Sequence, residues 1–316
     1  MRVPTAALWT LAIACTSNEP ALLSPAVNAR AVETANPAVS ASASASSVAS
    51  TVPVASSAPS ALPAASAPQP PACPPEMAHV GRSCVDKWEA HLVVVADGGA
   101  VAPYSPYERP AQGVRYEARS ALGVVPQAYI SRSEAHAACD AAGKRLCSLH
   151  EWYRACRGPR GFMYPYGPQM TKGACNASKH HLLSRIHGTN PHAWKYDEHF
   201  NDPKLNQEPG FLAKTGEYEQ CVSGYGVADM VGNLHEWISD TVDASLENKI
   251  PLRDDIRKKI EKNTGHGIFM GGFYSTTSEH GRGCAFVTIG HEPKYHDYST
   301  GFRCCKGADR TAKSNP

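Results

Sequence analysis

Ten of the eleven cysteines fall between Cys73 and Cys305, and Cys15 stands apart from them near the start of the chain. Ten thiols in one stretch is heavy use for a reduced cytosolic protein, and an even number implies cross-links made in an oxidising compartment. No Cys-x-x-Cys pair occurs, which argues against a zinc ribbon and against a thioredoxin-like redox centre.

The cysteine-rich stretch begins where the composition changes. From Thr16 to Ala72 the chain is almost wholly Ala, Ser, Pro, Val and Thr. Such a segment cannot bury enough apolar surface to offset its chain entropy, and residues 16–72 are expected to be a disordered linker. Upstream, Arg2 precedes an apolar run from Val3 to Ala14 that is too short to span a bilayer and has the pattern of a secretory signal. Ala12-Ile13-Ala14-Cys15 resembles a bacterial lipobox, so residues 1–15 read as signal peptide and lipobox with Cys15 as the lipidated residue. An ordinary signal cleaved farther along is the alternative. Residues 73–306 then form one folded domain and 307–316 a disordered tail. The 31 basic and 29 acidic residues leave a net charge of +2 with no basic run interleaved with aromatics, which excludes nucleic acid as a natural partner.

Within the domain, Cys73 to Cys84 reads as a hairpin closed by its own cysteines, leading into a strand over 85–95. Residues 96–124, punctuated by Gly98-Gly99, Pro103, Pro106 and Pro110, read as a surface excursion. Ser131-Arg132-Ser133-Glu134 and Ser148-Leu149-His150-Glu151 have capping-box spacing, in which a serine hydroxyl and a glutamate three residues on satisfy each other's backbone amides. They predict helices running to Ala142, before Gly143, and to Arg157, before Gly158-Pro159. The chain then reads as a His- and Asn-rich loop to about Leu212. The charged segment 245–262 reads as a helical, solvated insertion.

One short stretch suggests a metal. Asp229 and Glu236 flank a Gly232-Asn233 turn, a spacing that can set carboxylates and backbone carbonyls around one hard cation. By spacing alone Glu236 would equally cap a turn or pair with a buried arginine.

Taken together in order, Gly143-Lys144-Arg145-Leu146, Glu151-Trp152, Tyr164-Pro165-Tyr166-Gly167, the run Asp229 to Trp237, Gly271-Gly272-Phe273-Tyr274 and Gly301-Phe302-Arg303-Cys304 resemble the formylglycine-generating enzyme (sulfatase-modifying factor) family over about residues 73–306. The resemblance implies an α+β, C-type-lectin-like fold with much irregular structure. It implies calcium held by the side chains of Asp229 and Glu236 and the carbonyls of Gly232 and Leu234. A second calcium would use Asn176 and the carbonyl of Ala177, completed by Asp202 or Asn206. It also implies disulfides Cys139–Cys304 and Cys156–Cys284. Among the remaining cysteines, chain proximity suggests Cys73–Cys84 and Cys147–Cys305, which leaves Cys175–Cys221.

Catalytic members of the family carry two thiolates for Cu(I) soon after the Gly-Gly signature. Here no cysteine lies between Gly272 and Cys284, and Cys284 matches the family's disulfide cysteine. Phe273 stands where those members carry Ser, and His235 where they carry Trp. These departures argue against copper. Iron is considered because His291, His296 and Asp297 lie close in sequence, as a facial triad requires, but related iron enzymes take their ligands from a separate helical domain absent from this sequence. The expected function is a calcium-stabilised binding or interaction module of the cell envelope, taking an unknown protein, peptide or glycan ligand and meeting the outer membrane or periplasmic surroundings through its lipid anchor alone. An oxidase acting on peptide cysteine and, behind it, a non-haem iron oxygenase are the alternatives.

Overall fold

The N-terminal hairpin is closed by Cys73–Cys84 and pairs β1 (Met77–Val80) with β2 (Ser83–Asp86) in antiparallel register, Met77 opposite Asp86. This computed structural model describes residues 73–277 and 281–307. The expected signal, lipidation site Cys15, linker and nearly all of the tail lie outside the described residues.

The single strand expected over 85–95 is two. β2 stops at Asp86 and β3 (Ala90–Val95) starts in a different sheet. The break has a physical cause: Glu89 is buried and its carboxylate turns inward to accept from Leu234 N and the Asn233 side-chain amide. The excursion 96–124 is also more regular than its Gly and Pro punctuation suggests. It supplies β4 (Val101–Pro103) and β5 (Tyr116–Ser120), both antiparallel to β3. β5 alternates, with Tyr116 and Ala118 packed beside Leu92.

Both capping boxes form. Ser131 and Glu134 open α1 (Arg132–Ala141), and Ser148 and Glu151 open α2 (Leu149–Arg157), with β6 (Arg145–Leu146) between them. Each helix stops at a glycine with positive φ, Gly143 at 65° after the Ala142 cap and Gly158 at 65°. α2 buries Leu149, Trp152, Ala155 and Cys156, which at i, i+3, i+6 and i+7 form one apolar stripe of an amphipathic helix.

Beyond Gly167 the His-rich segment is mostly irregular but folds around an apolar centre. α3 (Leu182–His187) contributes Leu182 and Leu183, which pack with Leu205, Tyr129, Tyr274 and Tyr298. β7 (His235–Thr241) follows the signature turn. The segment 245–262 is not one solvated helix: it breaks into α4 (Leu246–Lys249) and α5 (Asp254–Arg257), because Pro251 disfavours helical backbone at Ile250. Its apolar residues Leu246, Ile250, Ile256 and Ile260 join the main core with Trp152 and Met270. Its charged residues, with Ser245, Asn248 and Pro251, face outward.

β8 (Gly267–Met270), β9 (Val287–His291) and β10 (Thr300–Phe302) complete a sheet of order β10-β7-β8-β9 in which β10 is parallel to β7. β11 (Cys304–Lys306) enters the other four-stranded sheet, of order β1-β2-β11-β6. The chain thus changes sheets between β10 and β11, and Arg303 sits at that crossing.

Five disulfides join this irregular frame: Cys73–Cys84, Cys139–Cys304, Cys147–Cys305, Cys156–Cys284 and Cys175–Cys221. They are the pairs expected. Three of them close loops of more than 120 residues, with sequence separations of 165, 158 and 128. Cross-links of that span restrict the unfolded chain most strongly in the loop-entropy account.

Candidate functional site

The signature loop enters β7 through left-handed backbone. Asp229, Gly232 and Asn233 have φ of 59°, 82° and 56°. At Gly232 the requirement is also steric, since a Cβ would lie 2.1 Å from the carbonyl oxygen of Asn176. Asn233 tolerates the conformation and ties the loop down. Its backbone N–H donates to Asn176 O at 2.8 Å, and its side-chain oxygen accepts from Ala213 N at 3.0 Å.

Glu236 is 1% exposed. Arg303 donates to both of its oxygens at 2.6 Å, and Trp152 Nε1 donates to Oε2 at 2.7 Å. The buried arginine that spacing left open is therefore real. Arg303 also donates to the carbonyls of Asp86 and Ala228, at 3.0 and 2.9 Å, so one guanidinium joins the N-terminal hairpin, the signature loop and β7. Asp229 Oδ2 accepts from Gly216 N at 2.6 Å.

Sequence reasoning missed Glu89. It stands in what reads as a β-strand, 140 positions from its partners, and nothing local marks it. In the structure three buried carboxylates, Glu89, Asp229 and Glu236, share one guanidinium. Burial, with repulsion from Asp229 and Glu236 added, holds the Glu89 carboxyl well above its ordinary range. Burial likewise pushes Asp229 up to about 6, although the Gly216 N–H and Arg303 pull the other way. Surplus negative charge in a buried site suits a hard dication. The Asp229 and Glu236 carboxylates with the Gly232 and Leu234 carbonyls are a fitting donor set, in which Glu236 would serve the ion and Arg303 together. Among the described residues no three His, Cys, Asp or Glu side chains converge in metal-binding geometry, so backbone carbonyls are a necessary part of this set.

The second calcium expectation does not fit. Asp202 lies 3.5 Å from His187 Nε2, and the Asn206 amide is used by Tyr298 O and the Tyr274 hydroxyl. Neither completes a site with Asn176. The Asn176 amide donates through Nδ2 to Phe211 O and Asn233 Oδ1, both at 2.8 Å. Its orientation follows a relay: Asn233 Oδ1 accepts from Ala213 N and from Asn176, which leaves the Asn233 NH2 for Glu89. Asn176 Oδ1 is buried without a hydrogen-bond partner, but the neighbouring cation is already part of the chain. The Lys179 ammonium donates to Gly210 O at 2.5 Å and to the same Phe211 carbonyl at 3.0 Å. The Phe211 carbonyl beside Asn176 is thus already taken by an ammonium, whose charge opposes a dication.

Past Gly271-Gly272, Phe273 packs against His235 and the Tyr298 ring, with ring centroids at 5.0 and 5.7 Å, and His235 also stacks on Phe286. The Ser275 hydroxyl donates to His180 O, and Cys284 is bonded to Cys156. Among the described residues this floor is aromatic and hydroxylic. The His291, His296 and Asp297 side chains do not converge on one point. The His291 ring stacks between Phe269 and Tyr295, His296 Nδ1 meets Asn201 Oδ1, and Asp297 is buried as acceptor of Ser299 and the Tyr295 hydroxyl.

A half-open cavity of about 280 Å³ lies elsewhere, between the 110–116 loop and the outer side of α1. Pro110, Val114, Leu92 and Ala141 give it an apolar wall, and Arg115 and Glu134 stand among its lining residues.

The chain is 26% identical over 187 residues to an inactive C-alpha-formylglycine-generating enzyme 2 of Bos taurus, covering 58% of this chain and 51% of that protein. It is 28% identical over 195 residues to a formylglycine-generating enzyme of Streptomyces coelicolor, covering 60% and 55%. It thus spans about half the length of these relatives. Among solved structures, PvdO from Pseudomonas aeruginosa overlays with a TM-score of 0.40 at 13% identity, over 72% of this chain and 80% of that one. Treponema denticola variable protein 1 overlays with a TM-score of 0.41 at 11% identity, over 73% and 98%. Residues 87–308 match the sulfatase-modifying factor enzyme 1-like domain, so the ordered signatures, the α+β frame and the arginine-closed loop they build are those of a member of that family.

Proposed function

We propose that this chain is a formylglycine-generating-enzyme-like binding module of the cell envelope, stabilised by calcium at Asp229, Gly232, Leu234 and Glu236, and not a cysteine oxidase. The observation that carries the reading is the Cys156–Cys284 disulfide. With Cys284 cross-linked and no cysteine between it and Gly272, the floor offers the soft metal no pair of thiolates and the oxidation no electron path. Five disulfides support export to an oxidising compartment, and Cys15 would supply the lipid anchor. The ligand site of the module is the apolar cavity beside α1, in the 96–124 excursion. Its lining suits an apolar side chain of a protein or peptide ligand better than a sugar.

The test is direct. Copper-loaded protein should leave a Cys-x-Pro-x-Arg peptide unmodified by mass spectrometry over long incubation. Turnover that disappears in Cys284→Ser would establish the oxidase reading instead.

A further inference from the structure

We infer that the outer side of α2 and the turn after it form a docking surface for an anionic phospholipid bilayer. Arg154 and Arg157 lie three residues apart on α2 and so share a face. Arg160 follows on the turn, its guanidinium 4.5 Å from the Phe162 ring centroid, and Arg157 sits 5.0 Å from that of Tyr153. Arg154 approaches the Tyr225 hydroxyl at 3.5 Å and lies flat over Gly81, where a Cβ would come within 2.8 Å of Nη1.

Among the described residues no carboxylate forms an ion pair with this strip. The described partners of the three guanidinium groups are carbonyls, a tyrosine hydroxyl and aromatic rings. The 253–257 surface is the opposite case: Arg253 pairs with Asp255, and Arg257 with Asp254 and Glu247. Unpaired guanidinium groups interleaved with half-buried aromatics match a phospholipid surface, where phosphates accept in bidentate fashion and aromatic rings settle at headgroup level. The sequence carries the three arginines in linear order, Arg154, Arg157 and Arg160, between Tyr153 and Phe162. The fold brings residues 81 and 225 to them.

This inference rests on the envelope reading above, and its test is kept independent of the lipid anchor. Full-length Cys15→Ser protein is mixed with phosphatidylcholine vesicles and with vesicles containing phosphatidylglycerol, and bound protein is measured by flotation. Binding is expected only to the phosphatidylglycerol vesicles, and it should weaken with salt. Arg154→Gln with Arg160→Gln should lower the partition coefficient about thirtyfold, at roughly fivefold per charge. Lys258→Gln with Lys262→Gln, on the other charged surface, should leave it unchanged, and the melting temperature of each variant confirms folding. Equal loss in both double variants would overturn the inference, as would binding to heparin without binding to vesicles, which would assign the strip to an anionic glycan. Vesicle binding with no palmitate label on wild-type Cys15 would instead sink the anchor and leave the docking surface standing.

Discussion

Two regions carry the residues from which calcium was expected, and they balance charge in opposite ways. At the signature loop, Glu89, Asp229 and Glu236 outnumber the single guanidinium of Arg303, and burial raises the proton affinity of Glu89 and Asp229. Beside Asn176 the Lys179 ammonium already holds the Gly210 and Phe211 carbonyls. The two are physically joined, because the Gly232 backbone lies against the Asn176 carbonyl and the Asn233 amide bonds to Asn176. A motif can therefore keep its residue types while carboxylates are in surplus around one half and an ammonium of the chain stands beside the other.

The sharpest way to break this comparison is Glu236→Gln. It leaves Arg303 buried beside a neutral amide, and breaking a buried pair costs about 3–5 kcal/mol. The variant should melt far below wild type, and adding chelator should lower its melting temperature no further. A chelator response as large as that of wild type would move the ion elsewhere. Gly232→Ala comes next, since it meets both a positive φ and the Asn176 carbonyl. A loss of about 2–3 kcal/mol is expected, measured by urea unfolding, and a neutral outcome would show that the two regions are not locked together.

Calcium removal from wild type should cost about 2.7 kcal/mol if the ion is present at a hundredfold its dissociation constant. Calorimetric melts in calcium and in chelator read this difference, and coincident melts would remove the ion from the signature loop. In chelator, stability should also depend on pH. The folded state, with Asp229 raised to about 6 and Glu89 raised well above its ordinary value, binds more protons than the unfolded chain from the ordinary carboxylate range of roughly pH 4 upward. Stability is therefore highest below that window and falls by on the order of 2 kcal/mol as pH rises through about 6. Saturating calcium should flatten the fall. Stability that rose with pH over this interval would show that Arg303 alone balances the cluster.

The smallest effect belongs to Lys179→Met. Burial lowers its pKa, opposed by Glu217, and the ammonium is partly solvated, so the loss of its two carbonyl bonds should cost only about 1 kcal/mol. The loss should be the same in calcium and in chelator. A calcium response that appeared in this variant alone would mean that the ammonium had been excluding an ion from the Asn176 cradle.

Much of the frame was legible because its signals are local. Ser131-x-x-Glu134 and Ser148-x-x-Glu151 place two helix starts, and Gly143 and Gly158 place their ends, since capping and left-handed backbone are decided within a few residues. The Gly232-Asn233 turn was legible for the same reason. β5 and the break at residues 87–89 were not: the first depends on its pairing with β3, and the second on a carboxylate drawn toward Asn233 and Leu234. The helical reading of 245–262 failed where Pro251 interrupts it, and its solvated reading failed because Ile256 and Ile260 found a core the local pattern does not show.

What the amino-acid sequence by itself determined is the set of short signatures, their order, the absence of a second cysteine near Gly272 and the capped helices. These are properties of composition and of neighbours along the chain. Only the tertiary structure decided which charges meet. Glu236 pairs with Arg303 across 67 positions and Trp152 reaches Glu236 across 84, while Glu89 and Lys179 enter the two regions without any local mark. Electrostatic partners are chosen by distance and burial in space, and a linear pattern that names the carboxylates cannot say which cation will stand beside them.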